Sequence, residues 1–431
     1  MTDVSTISVL VEKGAVLLVD VEISEPIDDL CPGGPFERAR ILVRLHGRPI
    51  GTVTVPLQVI ILSAPLVAQT IWDELAPAIR RHCRADGFGE PRALTAAGLG
   101  LSREPPCSWR AAFRTTPPPA ATVVVTTCGS SERLNRTIRG VLAQTYPRFD
   151  VVVVDNRPRT SRVRQTLEAA FPGDTRLRYV AEERQGLSCA RNRGAAEAGS
   201  PVVAFTDDDV DVDPEWLGNL MAGFEGDDIA CVTGLILPLE LETAAQRLLE
   251  EFGGYSKGFE RRTWDNRANR LHHPLYPYTV GAFGSGANAA FRVAALAEIG
   301  GFDESLGAGT PARGGEDIDI YVTCIERGYR IAYEPAAIVR HAHQRGMDEI
   351  HQKLHDYGVG LGAMLTKHLV RDWSTFAAML VRAPWGLGHL LSRSSSKNAG
   401  RSADFPSSLA RAELAGVLHG PAAYRRSRAA R

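Results

Sequence analysis

Short apolar segments alternate with amphipathic helical patterns between residues 122 and 205, and this alternation constrains the fold more than any other feature. The segments are mostly apolar along their whole length, which indicates strands that are buried on both faces. Strands of this kind, separated by helices, form parallel sheets covered by helices on both faces. We therefore predict an α/β domain with a mostly parallel sheet, whose strands are 122–126, 151–154, 177–180 and 202–205.

Two groups of residues that contain carboxylates follow strands of this predicted sheet. Asp155 and Asn156 come directly after the second strand, and Asp207, Asp208 and Asp209 come directly after the fourth. Ligands of open α/β sheets bind outside the carboxyl ends of the strands. We therefore expect both groups to line one binding site.

The rest of the chain divides around proline-rich residues. Residues 1–102 are predicted to form an accessory α+β domain, with a hairpin around His46–Pro49 and a helix near residues 67–84. Consecutive prolines mark 103–120 as a linker, because proline enters neither helix interiors nor central strands. We expect a catalytic domain at 121–345 and a C-terminal helical extension with a basic tail at 346–431.

Charge and cysteine usage exclude several classes of protein. The chain has 49 Lys and Arg against 50 Asp and Glu, which argues against a protein that coats nucleic acid. Its seven cysteines are scattered and never form a C-x-x-C pair, which disfavours a structural zinc site and a disulfide framework. No apolar run reaches the ~18–20 residues of a membrane span. We expect a cytoplasmic protein, with a peripheral contact at the inner face of the membrane left open by the apolar residues Trp373, Phe376, Met379, Leu380, Trp385 and Leu390.

The acidic triplet at Asp207–Asp209 is a candidate metal site. Adjacent carboxylates repel one another unless a cation neutralises them, and carboxylate oxygens suit Mg²⁺ or Mn²⁺. A solvated acidic turn is the alternative. An EF-hand is excluded, because that loop needs Gly and Glu where Val212 and Gly218 stand.

Other titratable residues stand at predicted element ends. Asp317, next to Glu316 at a helix start, is either a general base or a charge that complements the helix dipole. His341 and His343 end a predicted strand and are either ligands of a metal or diphosphate, or a surface pair. His351 and His355 lack the Glu that a zinc protease motif requires.

Taken in order, several short motifs resemble those of the family 2 glycosyltransferases, which are inverting enzymes with the GT-A fold. The resemblance covers residues 121–343, about half of the chain. The matching segments are Gln144–Pro147, Val153–Asn156, Gly186–Asn192, Phe205–Asp209, Gly286–Arg292, Gly300–Asp303 and Gly315–Asp317. Neither the Q-x-x-R-W motif nor the membrane spans of the family's processive synthases are found, so single sugar addition is expected.

The resemblance implies a GT-A, Rossmann-like fold and metal-dependent transfer from a UDP-, GDP- or dTDP-linked sugar to a glycan, lipid-linked or small-molecule acceptor. It implies Mn²⁺ or Mg²⁺ as cofactor and no nucleic-acid partner. The implied catalytic residues are Asp317, as the base, and Glu316. The implied donor-binding residues are Thr126, Cys128, Glu132, Asp155, Asn156, Gly186, Arg191, Asp207 and Asp208. The implied metal ligands are Asp207, Asp209, His341 and His343, and the acceptor-side residues are Gly286, Asn288 and Arg292.

Two other functions remain open from the sequence. A sugar-phosphate nucleotidyltransferase also uses a parallel sheet and a carboxylate-bound metal, but Cys128–Arg133 is a poor match to its glycine-rich loop. A non-catalytic glycan-binding or assembly protein is disfavoured by the carboxylates at Asp155, Asp207, Asp209 and Asp317.

Overall fold

The computed structural model describes residues 14–57, 61–101, 105–279, 281–371 and 405–431, together with 381, 385–386, 388, 392 and 401–402. The chain forms two compact units. The first comprises Met1–Cys107, Pro238–Glu250 and His343–Glu349, and the second comprises Ser108–Leu237, Glu251–Ala342 and Ile350–Arg431. The first unit thus includes two segments that come much later in the chain than residues 1–102.

A three-stranded sheet and one long helix form the body of the first unit. Strand β1 (Val16–Glu22) pairs parallel with β2 (Arg38–Leu45), which pairs antiparallel with β3 (Arg48–Pro56). Helix α1 (Ala64–Ala85) contacts β3, and alternate residues of the strands share one apolar core with residues of α1. The predicted hairpin around His46 and the predicted helix are both confirmed.

A nine-stranded sheet organises the second unit. Its strands are β4 (Ala121–Thr127), β5 (Phe149–Asp155), β6 (Leu177–Ala181), β7 (Val202–Asp207), β8 (Val210–Val212), β9 (Ile229–Pro238), β10 (Arg262–Trp264), β11 (Asn288–Arg292) and β12 (Arg330–His341). The order is β10-β12-β9-β11-β7-β4-β5-β6, and β8 pairs with β12. The predicted strands are parallel to one another, whereas β11 runs antiparallel to β7.

Helices cover both faces of this sheet. The further helices along the chain are α2 (Trp109–Ala112), α3 (Glu132–Leu142), α4 (Val163–Ala170), α5 (Leu187–Ala196), α6 (Trp216–Ala222), α7 (Ala244–Glu251), α8 (Val293–Glu298), α9 (Glu316–Glu326), α10 (Met347–Arg371) and α11 (Ser407–Ala429), and nearly all of α7 belongs to the first unit. Val123 and Val125 of β4 share a core with Leu134 of α3. Val124, on the opposite face, lies against α5, where a Cβ at Gly194 would come within 2.3 Å of it. The predicted α/β class is confirmed.

Glycines let the two C-terminal helices make backbone contact. A Cβ atom at Gly358 of α10 would lie 2.0 Å from the carbonyl oxygen of Glu413, and one at Gly416 of α11 would lie 2.1 Å from that of His355. The predicted C-terminal helical extension is therefore a packed helix pair over the described residues.

Within the described residues, the structure contains no helix with the length and apolar character that a membrane crossing requires. Of the residues named for a membrane contact, Trp373, Phe376, Met379, Leu380 and Leu390 lie outside the described residues. Trp385 is 53% exposed.

Candidate active site

The acidic triplet lies at the carboxyl edge of the parallel strands. Because β4 and β7 are adjacent and parallel, Thr126 is in register with Asp207. The next residue, Thr127, donates a hydrogen bond from its hydroxyl group to the carboxylate of Asp208. The sheet thus fixes the position of the triplet, and its three side chains are only partly exposed.

Pairing of β8 with β12 brings a histidine to this triplet. His341 is in register with Val210, and the amide of Ala342 donates to the carbonyl oxygen of Asp209 at 3.1 Å. Nε2 of His341 lies 3.5 Å from Oδ1 of Asp209. Asp207, Asp209 and His341 each offer one ligand atom, and these atoms lie within 4.8 Å of one another.

The carboxylates of the triplet are partly shielded from water and repel one another. Burial, followed by the charges of Asp207 and Asp208, raises the pKa of Asp209 to about 7, although Lys353 and Arg133 oppose the shift. Burial also raises the pKa of Asp208. A cation at this point would therefore relieve an unfavourable concentration of negative charge.

Arg191 joins the triplet to the beginning of α9. Its Nη1 donates to Oε1 of Glu316 at 2.9 Å, and its Nη2 lies 3.3 Å from Oδ1 of Asp207. The Arg191 side chain is only 2% exposed, so this ion pair lies in the interior. A Cβ atom at Gly286 would lie 2.6 Å from Nη1 of Arg191, which explains why a glycine stands there.

The two carboxylates at the start of α9 differ in environment. Glu316 is buried, and this burial, followed by the charge of Asp317, raises its pKa to about 7 while Arg191 opposes the shift. Asp317 is partly exposed. Its Oδ2 accepts from the amide of Gly286 at 3.2 Å, and its Oδ1 accepts from the amide of Ile318 at 2.8 Å. Asp317 is thus the accessible carboxylate of the pair, held in a fixed orientation.

Neighbouring motif residues position the loops around the site. The side-chain amide of Asn192 donates to the carbonyl oxygen of Phe302 and accepts from its amide, both at 2.9 Å. Asn156 accepts from the amide of Gly186 at 2.9 Å and donates to the carbonyl oxygen of Arg184 at 2.8 Å. These two asparagines therefore organise the backbone of the loops.

Asp155 is fully buried at the end of β5. Its carboxylate accepts from the amide of Arg157 at 2.9 Å, from the hydroxyl group of Tyr179 at 3.0 Å and from the hydroxyl group of Ser161. The residues that follow Asp155 form one wall of a cavity of about 370 Å³. This cavity is lined by Arg157, Pro158, Arg159, Thr160, Glu183 and Gln185. Asp155 therefore shapes the loop that forms this wall.

Two residues of the acceptor-side set do not reach the acidic site. Asn288 is fully buried, donates to the carbonyl oxygens of Leu235 and Ala337, and accepts from the indole of Trp216. Arg292 is in register with Val202, at the opposite end of β7 from Asp207, because β11 runs antiparallel to β7. Only Gly286 of this set contacts the site.

Three other sequence candidates also take different positions. The side chain of His343 is fully buried, and its Nε2 lies 3.0 Å from Oε1 of Glu250. Glu132 begins α3 with a largely exposed side chain that pairs with Arg139. Cys128 follows β4 and is exposed.

The aromatic ring packed against His341, and the residues that contact this ring, were not predicted from the sequence. The ring of Tyr255 lies 5.3 Å from the ring of His341, and its hydroxyl group is hydrogen-bonded to that of Tyr357. Nζ of Lys353 lies 5.7 Å from the ring of Tyr255 and 5.8 Å from the ring of Tyr357. The i,i+4 spacing of Lys353 and Tyr357 places them on one face of α10, and this spacing is the only sequence signal for them.

Comparison with known families identifies the central segment. The family model described as glycosyl transferase family 2 matches residues 122–300. This segment is a family 2 glycosyltransferase domain. The match contains β4, β5, β7 and the acidic triplet, and the predicted resemblance is confirmed.

Curated relatives of this glycosyltransferase domain include two enzymes of different specificity. A pre-mycofactocin glycosyltransferase of Mycobacterium tuberculosis is 27% identical over 216 residues, which cover 48% of this chain and 42% of that protein. A glucosyl-dolichyl phosphate glucuronosyltransferase of Haloferax volcanii is 26% identical over 219 residues, which cover 49% of this chain and 64% of that protein. The chain thus spans less than two thirds of the length of either relative.

Solved structures similar to the chain include a mannosyltransferase from Pyrobaculum calidifontis in complex with GDP-Man and Mn²⁺. Its sequence is 20% identical to this one, and the structural match covers 70% of this chain and 87% of the mannosyltransferase chain, with a TM-score of 0.44.

Proposed function

We propose that this chain transfers a sugar from a nucleotide-diphosphate sugar to an acceptor hydroxyl group with inversion at the anomeric carbon. One observation carries the proposal: Arg191 contacts both Glu316 and Asp207. Two acidic segments separated by more than a hundred residues therefore form one site. A donor held at Asp207 would lie close to the carboxylate of Asp317.

The metal-ligating atoms at the acidic triplet fit a divalent cation. Asp207 and Asp209 offer carboxylate oxygens and His341 offers an imidazole nitrogen. Carboxylates suit both Mg²⁺ and Mn²⁺, while an imidazole ligand favours the transition metal, so we propose Mn²⁺. When bound, such a cation offsets the negative charge that develops on the departing diphosphate.

Asp317 is the proposed general base. Its two oxygens are oriented by the amides of Gly286 and Ile318, and it keeps an exposed surface on which an acceptor hydroxyl group can bind. As its carboxylate takes the hydroxyl proton, the acceptor oxygen bonds to the anomeric carbon and the bond from that carbon to the diphosphate oxygen breaks. Base catalysis of this kind contributes about 10²–10⁴-fold. Glu316 acts through Arg191, whose position it fixes.

The cavity next to Asp155 is the proposed place of the nucleoside. Its walls include Arg157 and Gln185, which lie in the loops organised by Asp155 and Asn156. The names of the relatives do not agree on one donor or acceptor. UDP-, GDP- and dTDP-sugars and glycan, lipid-linked and small-molecule acceptors therefore all belong in the test.

The test is a panel of nucleotide sugars with Mn²⁺, read by release of nucleoside diphosphate, followed by product analysis with the best donor. The expected result is diphosphate release with one donor class and a product of inverted anomeric configuration. Retained configuration would contradict the single displacement. Pyrophosphate release from a nucleoside triphosphate would instead indicate a nucleotidyltransferase. Absence of any release across the panel would indicate a binding protein.

A further inference from the structure

Four side chains of the first unit bring metal-ligating atoms together at one point. His46 lies in the turn between β2 and β3, His82 in the last turn of α1, Asp86 directly after α1, and Cys107 at the end of the unit's first segment. One nitrogen, oxygen or sulfur atom from each lies within 4.8 Å of the others. Residues far apart in the sequence thus converge on a common centre.

The distances at this centre are close to those between ligands of one metal ion, and the three contacts of Asp86 are as short as hydrogen bonds. Oδ2 of Asp86 lies 2.9 Å from Nδ1 of His46, 3.2 Å from Nε2 of His82 and 2.8 Å from Sγ of Cys107. Sγ of Cys107 lies 3.6 Å from Nε2 of His82 and 3.9 Å from Nδ1 of His46. Ligands of a tetrahedral zinc ion, at about 2.0–2.3 Å from the metal, are about 3.3–3.8 Å apart. The observed separations bracket that range.

We propose that His46, His82, Asp86 and Cys107 hold a zinc ion. Thiolate, imidazole and carboxylate are the ligands that zinc takes in proteins, whereas magnesium prefers oxygen. The carboxylate and a thiolate together balance the two positive charges of the ion, and neutral histidines add none. With four protein ligands, the ion has no open position for a substrate, so its role is structural.

Burial and neighbouring contacts support a built site. The side chains of His46 and Asp86 are 2% and 5% exposed, and that of His82 is 14% exposed. His46 has a left-handed backbone (φ 57°), which is uncommon for a residue with a Cβ atom. The carboxylate of Glu22 accepts from the amides of His46 and Gly47, and Arg48 donates to the carbonyl oxygen of Cys107. The ligands therefore sit on backbone that is held in place.

The ion would join three parts of the first unit: the β2–β3 turn, the end of α1 and the segment at Cys107. The absence of a C-x-x-C pair argues against a zinc site that is built from paired cysteines. The group of His46, His82, Asp86 and Cys107 needs only one cysteine. Its only regular spacing is the i,i+4 pair of His82 and Asp86. The proposal concerns residues of the first unit alone and does not depend on sugar transfer.

The test measures zinc in the purified full-length chain after loading with Zn²⁺ and removal of weakly bound ions. We expect about one zinc ion per chain at this site, and a more than about tenfold loss of affinity in Cys107→Ala and in His46→Ala. Cys31→Ala, which changes an exposed cysteine, and Asp209→Asn, which changes the acidic triplet, should retain it. Undiminished zinc binding in Cys107→Ala would overturn the proposal.

A second measurement uses the unchanged chain and does not depend on how the variants fold. Co²⁺ loaded in place of zinc should give a thiolate-to-cobalt charge-transfer band, and added Zn²⁺ should abolish it. A chain that binds neither zinc nor cobalt, or that binds cobalt without a thiolate band, would contradict the proposed ligand set. Neither result bears on nucleotide-sugar turnover, so failure here is distinguishable from failure of the proposed function.

Discussion

Arg191 donates a hydrogen bond to Glu316 across a sequence separation of 125 residues, with 2.9 Å between Nη1 and Oε1. The same guanidinium group lies against Asp207. Since Arg191 is buried, its charge is not screened by solvent, and it balances part of the negative charge of two acidic segments. This contact is why the base and the donor-binding carboxylates belong to one site in our proposal.

A methyl group at residue 286 should disturb that contact. A Cβ atom at Gly286 would lie 2.6 Å from Nη1 and 2.7 Å from Nη2 of Arg191, so Gly286→Ala must displace the guanidinium group or the loop. A displacement of about 1 Å at a catalytic site costs on the order of 10²-fold in rate. We expect a loss of that size in kcat/KM, measured with the best donor.

Gly199→Ala is the matched control, because a Cβ atom there would meet nothing within 4 Å. Its kcat/KM should stay close to that of the unchanged chain. Equal activity in both variants would show that the position of Arg191 does not matter for transfer.

Glu316 should make stability depend on pH. Its pKa is raised to about 7 in the folded chain, from an ordinary value of 4.5. The folded state therefore binds more protons than the unfolded state between these values, and stability falls as the pH rises through this window because the buried carboxyl group of Glu316 ionises at a cost. As the pH rises from about 4.5 to 7, the melting temperature of the unchanged chain should fall relative to that of Glu316→Gln. A constant difference between the two across this window would contradict the shift.

A buried ionic network joins α9 to α10 and should contribute strongly to stability. Nζ of Lys367 lies 2.7 Å from Oδ2 of Asp319 and 3.0 Å from Oδ2 of Asp303, and the side chain of Asp319 is 2% exposed. Lys367→Met removes a partner from a buried carboxylate, which costs about 3–5 kcal/mol. We expect a loss near the lower end of this range, measured by denaturant unfolding, because His368 also contacts Asp319.

Arg371→Met is the control on the same helix. Arg371 is 44% exposed and pairs with Glu326 near the surface, and such pairs contribute about 0–1 kcal/mol. Similar losses in the two variants would mean that burial of Asp319 does not strengthen the Lys367 contact.

The two histidines at 341 and 343 should differ in their effect on metal binding. His341 lies with Asp207 and Asp209, whereas His343 lies against Glu250. His341→Gln and Asp209→Asn should each weaken Mn²⁺ binding by more than about tenfold, measured by calorimetry or electron paramagnetic resonance. His343→Gln should leave Mn²⁺ affinity unchanged, and a loss in that variant equal to that in His341→Gln would contradict the proposed ligand set.

The parallel half of the large sheet could be predicted because its strands are apolar on both faces and alternate with helices. Their shared carboxyl edge also placed Asp155 and Asp207 correctly at strand ends. The end of β12 was predicted as a strand, but the pairing of the antiparallel half was not, since β9 and β12 are buried along almost their whole length and nothing local specifies their partners.

That antiparallel half also decides which motif residues reach the site. Arg292 follows Gly286 in the sequence motif, but the direction of β11 takes it to the far end of the sheet. Lys353 and Tyr357 of α10 meet Tyr255 only in the folded chain, and their i,i+4 spacing does not specify that partner. The His46 group is likewise a product of tertiary structure, since its ligands come from separate segments.

The most direct test of the account is the Asp317→Asn variant, assayed for sugar transfer and for nucleotide binding in the presence of Mn²⁺. Asparagine retains the shape of the side chain but cannot take a proton from an acceptor, so transfer should fall by about 10²–10⁴-fold while nucleotide affinity stays nearly the same. Asp227→Asn, at a fully exposed side chain, is the control. Full turnover by Asp317→Asn would contradict the assignment of the base, and with it the claim that the acidic segments form one catalytic site.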